Sequence, residues 1–259
     1  MELISDYTFN QWAIFLLILL RTGALFITIP FFSSSNIPAM VKIGLCLALS
    51  FMLQPLLDIS ADAYPREIIG FSLLAAGELM IGVIMGLCVR ILIASVQIMG
   101  QLAGFQMGFA VANVIDPIGG EQVSILAQFC YLMAFLLFLI LDGHMLIIGA
   151  LKESFVYVPP GTFGISSSLF ETVMEQAGSM FTLALRIGAP LIGALLFTQV
   201  AMGVVAKTVP QMNILIVGFP VTISVGMIFL ALIMATMVSI LSGRFLGLGE
   251  LMRQLLRGM

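Results

Sequence analysis

The chain has 259 residues, of which 61% are hydrophobic and 9% charged, with a mean hydropathy of +1.19 and a formal net charge of −3. Soluble domains carry about 25% charged residues, so a water-soluble globule of this length could not hide so much apolar surface. Composition therefore excludes a soluble domain and implies a polytopic, all-α membrane protein, and the absence of a basic patch leaves no footing for nucleic acid.

The start, Met1-Glu2 with Asp6, is acidic where a cleavable signal peptide carries Lys or Arg, and the first apolar run exceeds a signal h-region, so no signal peptide is expected. About six apolar segments follow, each near the ~20 residues that cross a hydrocarbon core. The first, Trp12–Phe32, contains Arg21 and Pro30. A polar link, Ser33–Asn36, leads to the second, Ile37–Leu57, with Lys42 near its start and Pro55 near its end. Asp58, Asp62, Arg66 and Glu67 then make the first plainly wet loop.

The third run, Ile68 to about Gly108, is too long for one simple span, since a helix of that length reaches ~60 Å. Either it breaks, or it extends beyond a bilayer, or the protein is not packed as a standard bundle. It carries Gly82-Val-Ile-Met-Gly86, a close-packing motif. The fourth run is Val123–Leu151. The polar stretch Lys152–Gln176 holds a helix stop, Pro159-Pro160-Gly161, and a helix start, Ser166-Ser167-Ser168. The fifth run, about Gly178–Val205, includes Pro190. The turn Lys207–Asn213 joins it to the sixth, Ile214–Leu241, which opens on Gly218-Phe219-Pro220. In the tail, Ser242–Met259, the spacing of Phe245, Leu248, Met252 and Leu255 against Arg244, Glu250, Arg253 and Arg257 suits an amphipathic helix at a surface. An even number of spans puts both termini on one side, and positive-inside counting favours the cytoplasm by a small margin.

The most informative stretch is Gly100–Gln128. Gly100, Gly104 and Gly108 recur every fourth residue and so share one helix face, where another backbone can approach closely. The residues after Gly108 are apolar, with a single acid, Asp116, on a turn made by Asp116-Pro117 and closed by Gly119-Gly120. Such a loop is expected to lie against protein or inside a passage rather than in water. Met99 and Met107, beside the glycine face, are candidates for a deformable seal as well as for ordinary core filling.

Arg21, Glu78, Arg90, Asp142, His144 and Arg186 are the ionisable residues set within or at the ends of apolar runs, and they are read as buried. A charge facing lipid is unfavourable, so each needs protein or water. Glu78 and Arg90 stand ~18 Å apart along one helix and cannot pair. Arg21 and Arg186 are both candidate partners for Glu78. Asp142-Gly143-His144 alone combines two groups suited to acid–base or metal chemistry, but no third ligand is near, and it reads better as a polar helix end. No HExxH, nucleophile elbow, dinucleotide fingerprint or P-loop occurs. Cys46, Cys88 and Cys130 lie in apolar runs without metal or redox spacing. No cofactor, metal or enzymatic activity is expected.

Taken together, Gly104-Phe105-Gln106-Met107-Gly108-Phe109-Ala110, Ile115-Asp116-Pro117, Gly120, Val123 and Leu126-Ala127-Gln128-Phe129 resemble the central signature of the FliR/SctT family of type III export-gate subunits. So do Asp142-Gly143-His144 followed by Pro159-Pro160-Gly161, and the late block from Val209 to Gly226. The resemblance runs from Trp12 to the tail, and its details look more flagellar than like the injectisome homologues.

This resemblance implies a single-copy subunit in a helical hetero-oligomeric gate with FliP and FliQ, in the bacterial inner membrane at the flagellar basal body. Much of that gate is raised towards the periplasmic side. Residues 1–177 would be a FliP-like part, 178–241 a FliQ-like hairpin and 242–259 an amphipathic tail. Unfolded flagellar proteins would pass through the centre. The family's plug carries over to Gly108, Phe109, Ala110, Val111, Ala112, Asn113, Val114, Ile115, Asp116, Pro117, Ile118, Gly119 and Gly120. Lys207, Pro210, Gln211 and Asn213 would face the cytoplasmic entrance and the partners FlhB and FlhA. The competing reading is a small-solute transporter or channel, but the two halves lack the matched Pro/Gly breaks that such a protein often shows.

Overall fold

A computed structural model describes residues 2–33, 37–57, 67–109, 124–164, 166–211 and 213–259. All regular structure among them is helical. In chain order the helices are α1 (Glu2–Thr28), α2 (Pro30–Ser33), α3 (Ala39–Leu53, extended by a 3₁₀ turn at Gln54–Leu56), α4 (Ile68–Met107), α5 (Ile125–Ile140), α6 (Gly143–Tyr157), α7 (Ser167–Thr208), α8 (Ile214–Leu246) and α9 (Leu248–Arg257). Among the described residues, five stretches are long and apolar enough to cross a membrane, and six if α5 and α6 count as one interrupted span. The chain is thus an all-α membrane protein, as its composition requires.

Prolines and left-handed residues punctuate these helices. Pro30 opens α2, and Pro38 precedes α3. Asp142, at φ 54°, interrupts what hydropathy reads as one run, Val123–Leu151. The short polar side chain of Asp tolerates this conformation, and apolar counting is blind to it. Pro159 and Pro160 follow α6, and Gly161 sits at φ 89°, so the expected stop is present. Ser166 accepts the Leu169 N–H at 3.1 Å, and α7 starts there, well before the apolar part of its sequence. By contrast α4 is unbroken over 40 residues, which resolves the alternatives for the third run in favour of one long helix. Inside the apolar helices, several hydroxyls turn back on their own carbonyls: Thr198 donates to Ala194 O, Thr208 to Val204 O and Ser242 to Val238 O. That satisfies them without water.

The chain divides into two compact units. The first comprises Met1–Ile91, Asp142–Gln176 and Gly247–Met259. Its core is built from Leu17, Ile18 and Leu25 of α1 and Ile81 and Met85 of α4, together with Leu151 and Phe155 of α6. Helix α9 packs on α6 and buries Leu248, Met252, Leu255 and Leu256. The amphipathic tail helix is therefore present, but its apolar stripe is covered by this chain rather than laid on a membrane surface. Arg253 clamps Glu153 of α6 through Nε and Nη2 at 2.7 and 3.1 Å, and the Arg257 guanidinium lies over the Tyr157 ring.

The second unit comprises Leu92–Leu141 and Ala177–Leu246. Helices α5 and α8 pack together, with Phe138 edge-on to Phe245 at 5.5 Å between ring centres. Met99, Leu191, Leu195 and Leu241 are fully buried.

Burial is uneven along the spans: it covers 67% of the most apolar part of α4 but 11% for α3 and for α7. Met40 and Phe51 on α3 and Phe197 on α7 are largely exposed. These faces are covered by lipid or by other chains.

Candidate functional site

In the first unit, two of the ionisable side chains are settled by one cluster. Arg21 and Glu78 are fully buried and paired, with Arg21 Nε donating to Glu78 Oε2 at 2.6 Å. Arg21 Nη1 donates to Ser154 Oγ at 3.0 Å and Nη2 to the Val158 carbonyl at 2.9 Å. The guanidinium lies 4.0 Å from the centre of the Phe155 ring. The other Glu78 oxygen accepts the Gly161 N–H at 3.3 Å. The pair thereby ties together α1, α4, α6 and the turn after α6. Arg186, the alternative partner for Glu78, is not used.

Close approach of α1 makes this pairing possible. Glu78, Gly82 and Gly86 lie on one face of α4. A Cβ on Gly82 would stand 2.7 Å from Ala24 Cβ and 2.9 Å from Leu25 N, and one on Gly86 would stand 2.6 Å from Thr28 Cβ. Only glycine lets the backbones meet there, and that contact brings Arg21 within reach of Glu78.

The remaining ionisable residues behave differently. Arg90, Asp142 and Arg186 are exposed on this chain, so the expectation that they are buried does not hold within it. Their side chains point away from the faces that their helices bury, towards whatever covers the chain. Asp142 takes the left-handed position before α6 and caps nothing with its side chain. His144 is half-buried, and its Nδ1 has no hydrogen-bond partner among the described residues. No group of three or more His, Cys, Asp or Glu suited to a metal occurs among the described residues.

The second unit contains the Gly100–Gly104–Gly108 face. A Cβ on Gly100 would stand 2.8 Å from Ala127 Cα and 3.0 Å from both Leu126 O and Cys130 Sγ. One on Gly104 would collide with the Ser124 side chain. The glycines thus seat the start of α5 directly on the backbone of α4. Gly108, at φ 96°, ends the helix. Its N–H bonds to Phe105 O and the N–H of Phe109 to Gly104 O, both at 3.1 Å. This paired pattern is a Schellman stop, which requires a left-handed residue at that position. The Phe219 ring lies where a Gly108 side chain would be.

Sequence reasoning did not foresee the other supports of this helix end. Met107 is fully buried with its side chain filling the space above Gly226, and Thr222 Oγ1 donates to Met107 O at 3.1 Å. Met99 likewise packs over Gly188, where a Cβ would stand 2.8 Å from its Cγ. Both methionines are core, each paired with a glycine of α7 or α8. Phe109 then borders an apolar groove of about 450 Å³ with Leu126, Phe129, Met227, Leu230 and Met234.

Of the loop 108–120, only Gly108 and Phe109 are described. Ala110, Val111, Ala112, Asn113, Val114, Ile115, Asp116, Pro117, Ile118, Gly119 and Gly120 lie outside the described residues. Lys207 lies in the last turn of α7, and Pro210, Gln211 and Asn213 follow in the turn to α8. All four are exposed.

The fold and its packing define a class: an all-α membrane protein with apolar outer faces, whose 40-residue helix α4 is gripped through glycines and one buried ion pair. Residues 12–248 match the model of bacterial export proteins, family 1. The chain is 35% identical to flagellar biosynthetic protein FliR of Bacillus subtilis (strain 168), over 93% of this chain and 94% of that protein. It is 34% identical to the FliR of Pectobacterium carotovorum and 31% identical to that of Escherichia coli (strain K12), in each case over 88% of both chains. The chain belongs to bacterial export proteins, family 1, the FliR family that its motifs resemble.

Proposed function

We propose that the chain is the single-copy core subunit of the flagellar type III protein-export gate. It forms the channel with FliP and FliQ, and its loop 108–120 seals that channel at rest. Unfolded flagellar proteins pass when the seal moves aside. The carrying observation is the family match along residues 12–248, joined to relatives named for flagellar biosynthesis. The geometry supports the same reading. The outer faces of α3, α7 and α8 are apolar and uncovered, as in a subunit that completes its core against neighbours. The glycine face of α4 supplies a rigid base for the loop that starts at Gly108.

In this reading residues 1–177 take the place of a FliP subunit and 178–241 that of a FliQ hairpin. The exposed turn with Lys207, Pro210, Gln211 and Asn213 faces the cytoplasmic entrance, FlhB and FlhA. The gate sits in the bacterial inner membrane and is raised towards the periplasm. The protein catalyses no reaction, and the energy for export comes from other components.

Extraction in mild detergent, with the mass and subunit composition of the complex determined, tests this directly. The expected result is a hetero-oligomer with one copy of this chain. Recovery of the chain alone, able after reconstitution to move a small solute with saturation, would replace the gate by a transporter.

A further inference from the structure

One face of α7 lacks its partner. Leu183, Ala184, Ile187, Leu191 and Leu195 are buried, so that side of the helix is already used. On the other side, Arg186, Pro190, Gly193, Phe197, Val200 and Val204 follow at helical spacing and form one continuous stripe. Arg186, Phe197, Val200 and Val204 are exposed. Among the described residues, no atom beyond its chain neighbours and its own helix backbone lies within 4 Å of where a Cβ on Gly193 would be. No hydrogen bond or ion pair reaches the Arg186 side chain among the described residues. Pro190 has no N–H to offer the Arg186 carbonyl, so the main chain is open at the same turn.

The stripe is apolar apart from one fixed positive charge. Left against lipid, the guanidinium would be strongly disfavoured. The chain meets the same requirement elsewhere: on α4, Glu78 and the two following glycines receive α1, which brings Arg21 against the carboxylate. Arg186, Pro190 and Gly193 repeat that arrangement with the charge reversed and the second helix missing.

We infer that this stripe of α7 receives an apolar membrane helix of a neighbouring subunit, and that this helix carries an Asp or Glu facing Arg186. Small side chains on it meet the α7 backbone at Gly193. A lipid headgroup would answer the charge but would leave the open backbone at Gly193 without a function. Lys207, at the end of α7, is the better placed cation for a headgroup. The inference rests on the reading of the chain as a subunit of an assembly.

The test uses the full-length chain, tagged, in cells that lack their own copy, with the assembled complex quantified after mild detergent extraction. Arg186→Gln and Arg186→Glu should lower the assembled fraction roughly tenfold or more, because each leaves a buried carboxylate unpaired. Gly193→Leu should lower it while leaving Arg186 intact. In the Arg186→Glu background, every Asp or Glu within the apolar helices of the copurifying subunits is then changed to Arg in turn. One such reversal should restore assembly, which a misfolded chain could not do. Wild-type assembly of Arg186→Gln overturns the inference. So does failure of every reversal, including the case where the complex instead follows the anionic lipid content and Arg186 belongs to a headgroup. If the unaltered chain is recovered alone, the subunit reading fails. If it assembles and Arg186→Glu assembles equally, only this inference fails.

Discussion

Glu78 accepts the Nε hydrogen of Arg21 at 2.6 Å, and neither side chain reaches the surface. Four further contacts complete the cluster, from Ser154, Val158, Phe155 and Gly161. Removing one member of such a pair leaves the other charge buried without compensation, a loss of about 3–5 kcal/mol. Arg21→Ala and Glu78→Ala are therefore each expected to abolish stable accumulation in the membrane. Arg21→Met with Glu78→Leu removes both charges and should recover much of it. Protease resistance of the extracted chain reports the difference, and a double variant no better than the single ones would show that the charges themselves are required.

The pair depends on Gly82 and Gly86. A Cβ on Gly82 falls 2.7 Å from Ala24 Cβ and 2.9 Å from Leu25 N, so even alanine must push α1 outward. Overpacking of this kind costs about 1–3 kcal/mol. The displacement also draws Arg21 away from Glu78, so Gly82→Ala and Glu78→Ala should be less than additive in the same protease assay. Full additivity would separate the glycine contact from the ion pair.

Much of this was legible beforehand, and the limits are specific. Apolar runs and their punctuation showed the helices, since Pro159-Pro160-Gly161 and the glycine spacing act locally. Glu78 was recognisable as needing a partner, but the choice of Arg21 over Arg186 depends on which helix docks on Gly82. Ser154 and the Val158 carbonyl left no trace, because a hydroxyl and a main-chain oxygen more than a hundred residues from Arg21 have no pattern to read. Asp142-Gly143-His144 is legible as a polar helix end, and one helix does stop and another start there, but hydropathy runs straight through from Val123 to Leu151, because it sums composition and is blind to a left-handed residue. The tail showed its amphipathic spacing, but its stripe faces α6, and spacing cannot distinguish a protein surface from a lipid one. Similarly, the sequence places Met107 beside glycines of its own helix, whereas the glycine it fills is Gly226.

Helix α9 offers a contrast to the buried pair. Arg253 meets Glu153 at 2.7 Å, but both side chains are about two-fifths exposed (41% and 42%). Such pairs contribute about 0–1 kcal/mol and weaken with salt. Arg253→Ala should leave α9 docked. Leu255→Ala, at a fully covered position, should release it at a cost of about 2–5 kcal/mol. Limited proteolysis of the tail distinguishes the two, and release by Arg253→Ala alone would mean that the ion pair dominates.

The end of α4 is held by Met107 over Gly226 and by the Thr222 hydroxyl on Met107 O. Thr222→Val keeps the shape and removes the hydrogen bond, a loss of about 0.5–1.5 kcal/mol. Gly226→Leu fills the space that Met107 occupies and must expel it. In the proposed gate, Gly226→Leu should therefore disturb the base of the loop and raise resting ion leakage far more than Thr222→Val. Equal and unaltered permeability in both, with assembly intact, would disconnect this helix end from the seal.

The proposed seal is tested by shortening the loop. An obstruction of apolar side chains excludes ions by expelling water, so a gate lacking Val111–Ile115 should assemble in normal amounts and leak at rest. Gly108 would still end α4 by its Schellman hydrogen bonds, which involve Phe105 and Gly104 and none of the deleted residues. Assembly and sealing are thereby separable in one variant. Conductance of the reconstituted complex, or entry of a small impermeant solute into resting cells, provides the readout. A normally assembled complex with unchanged permeability would assign the seal to other residues of the gate.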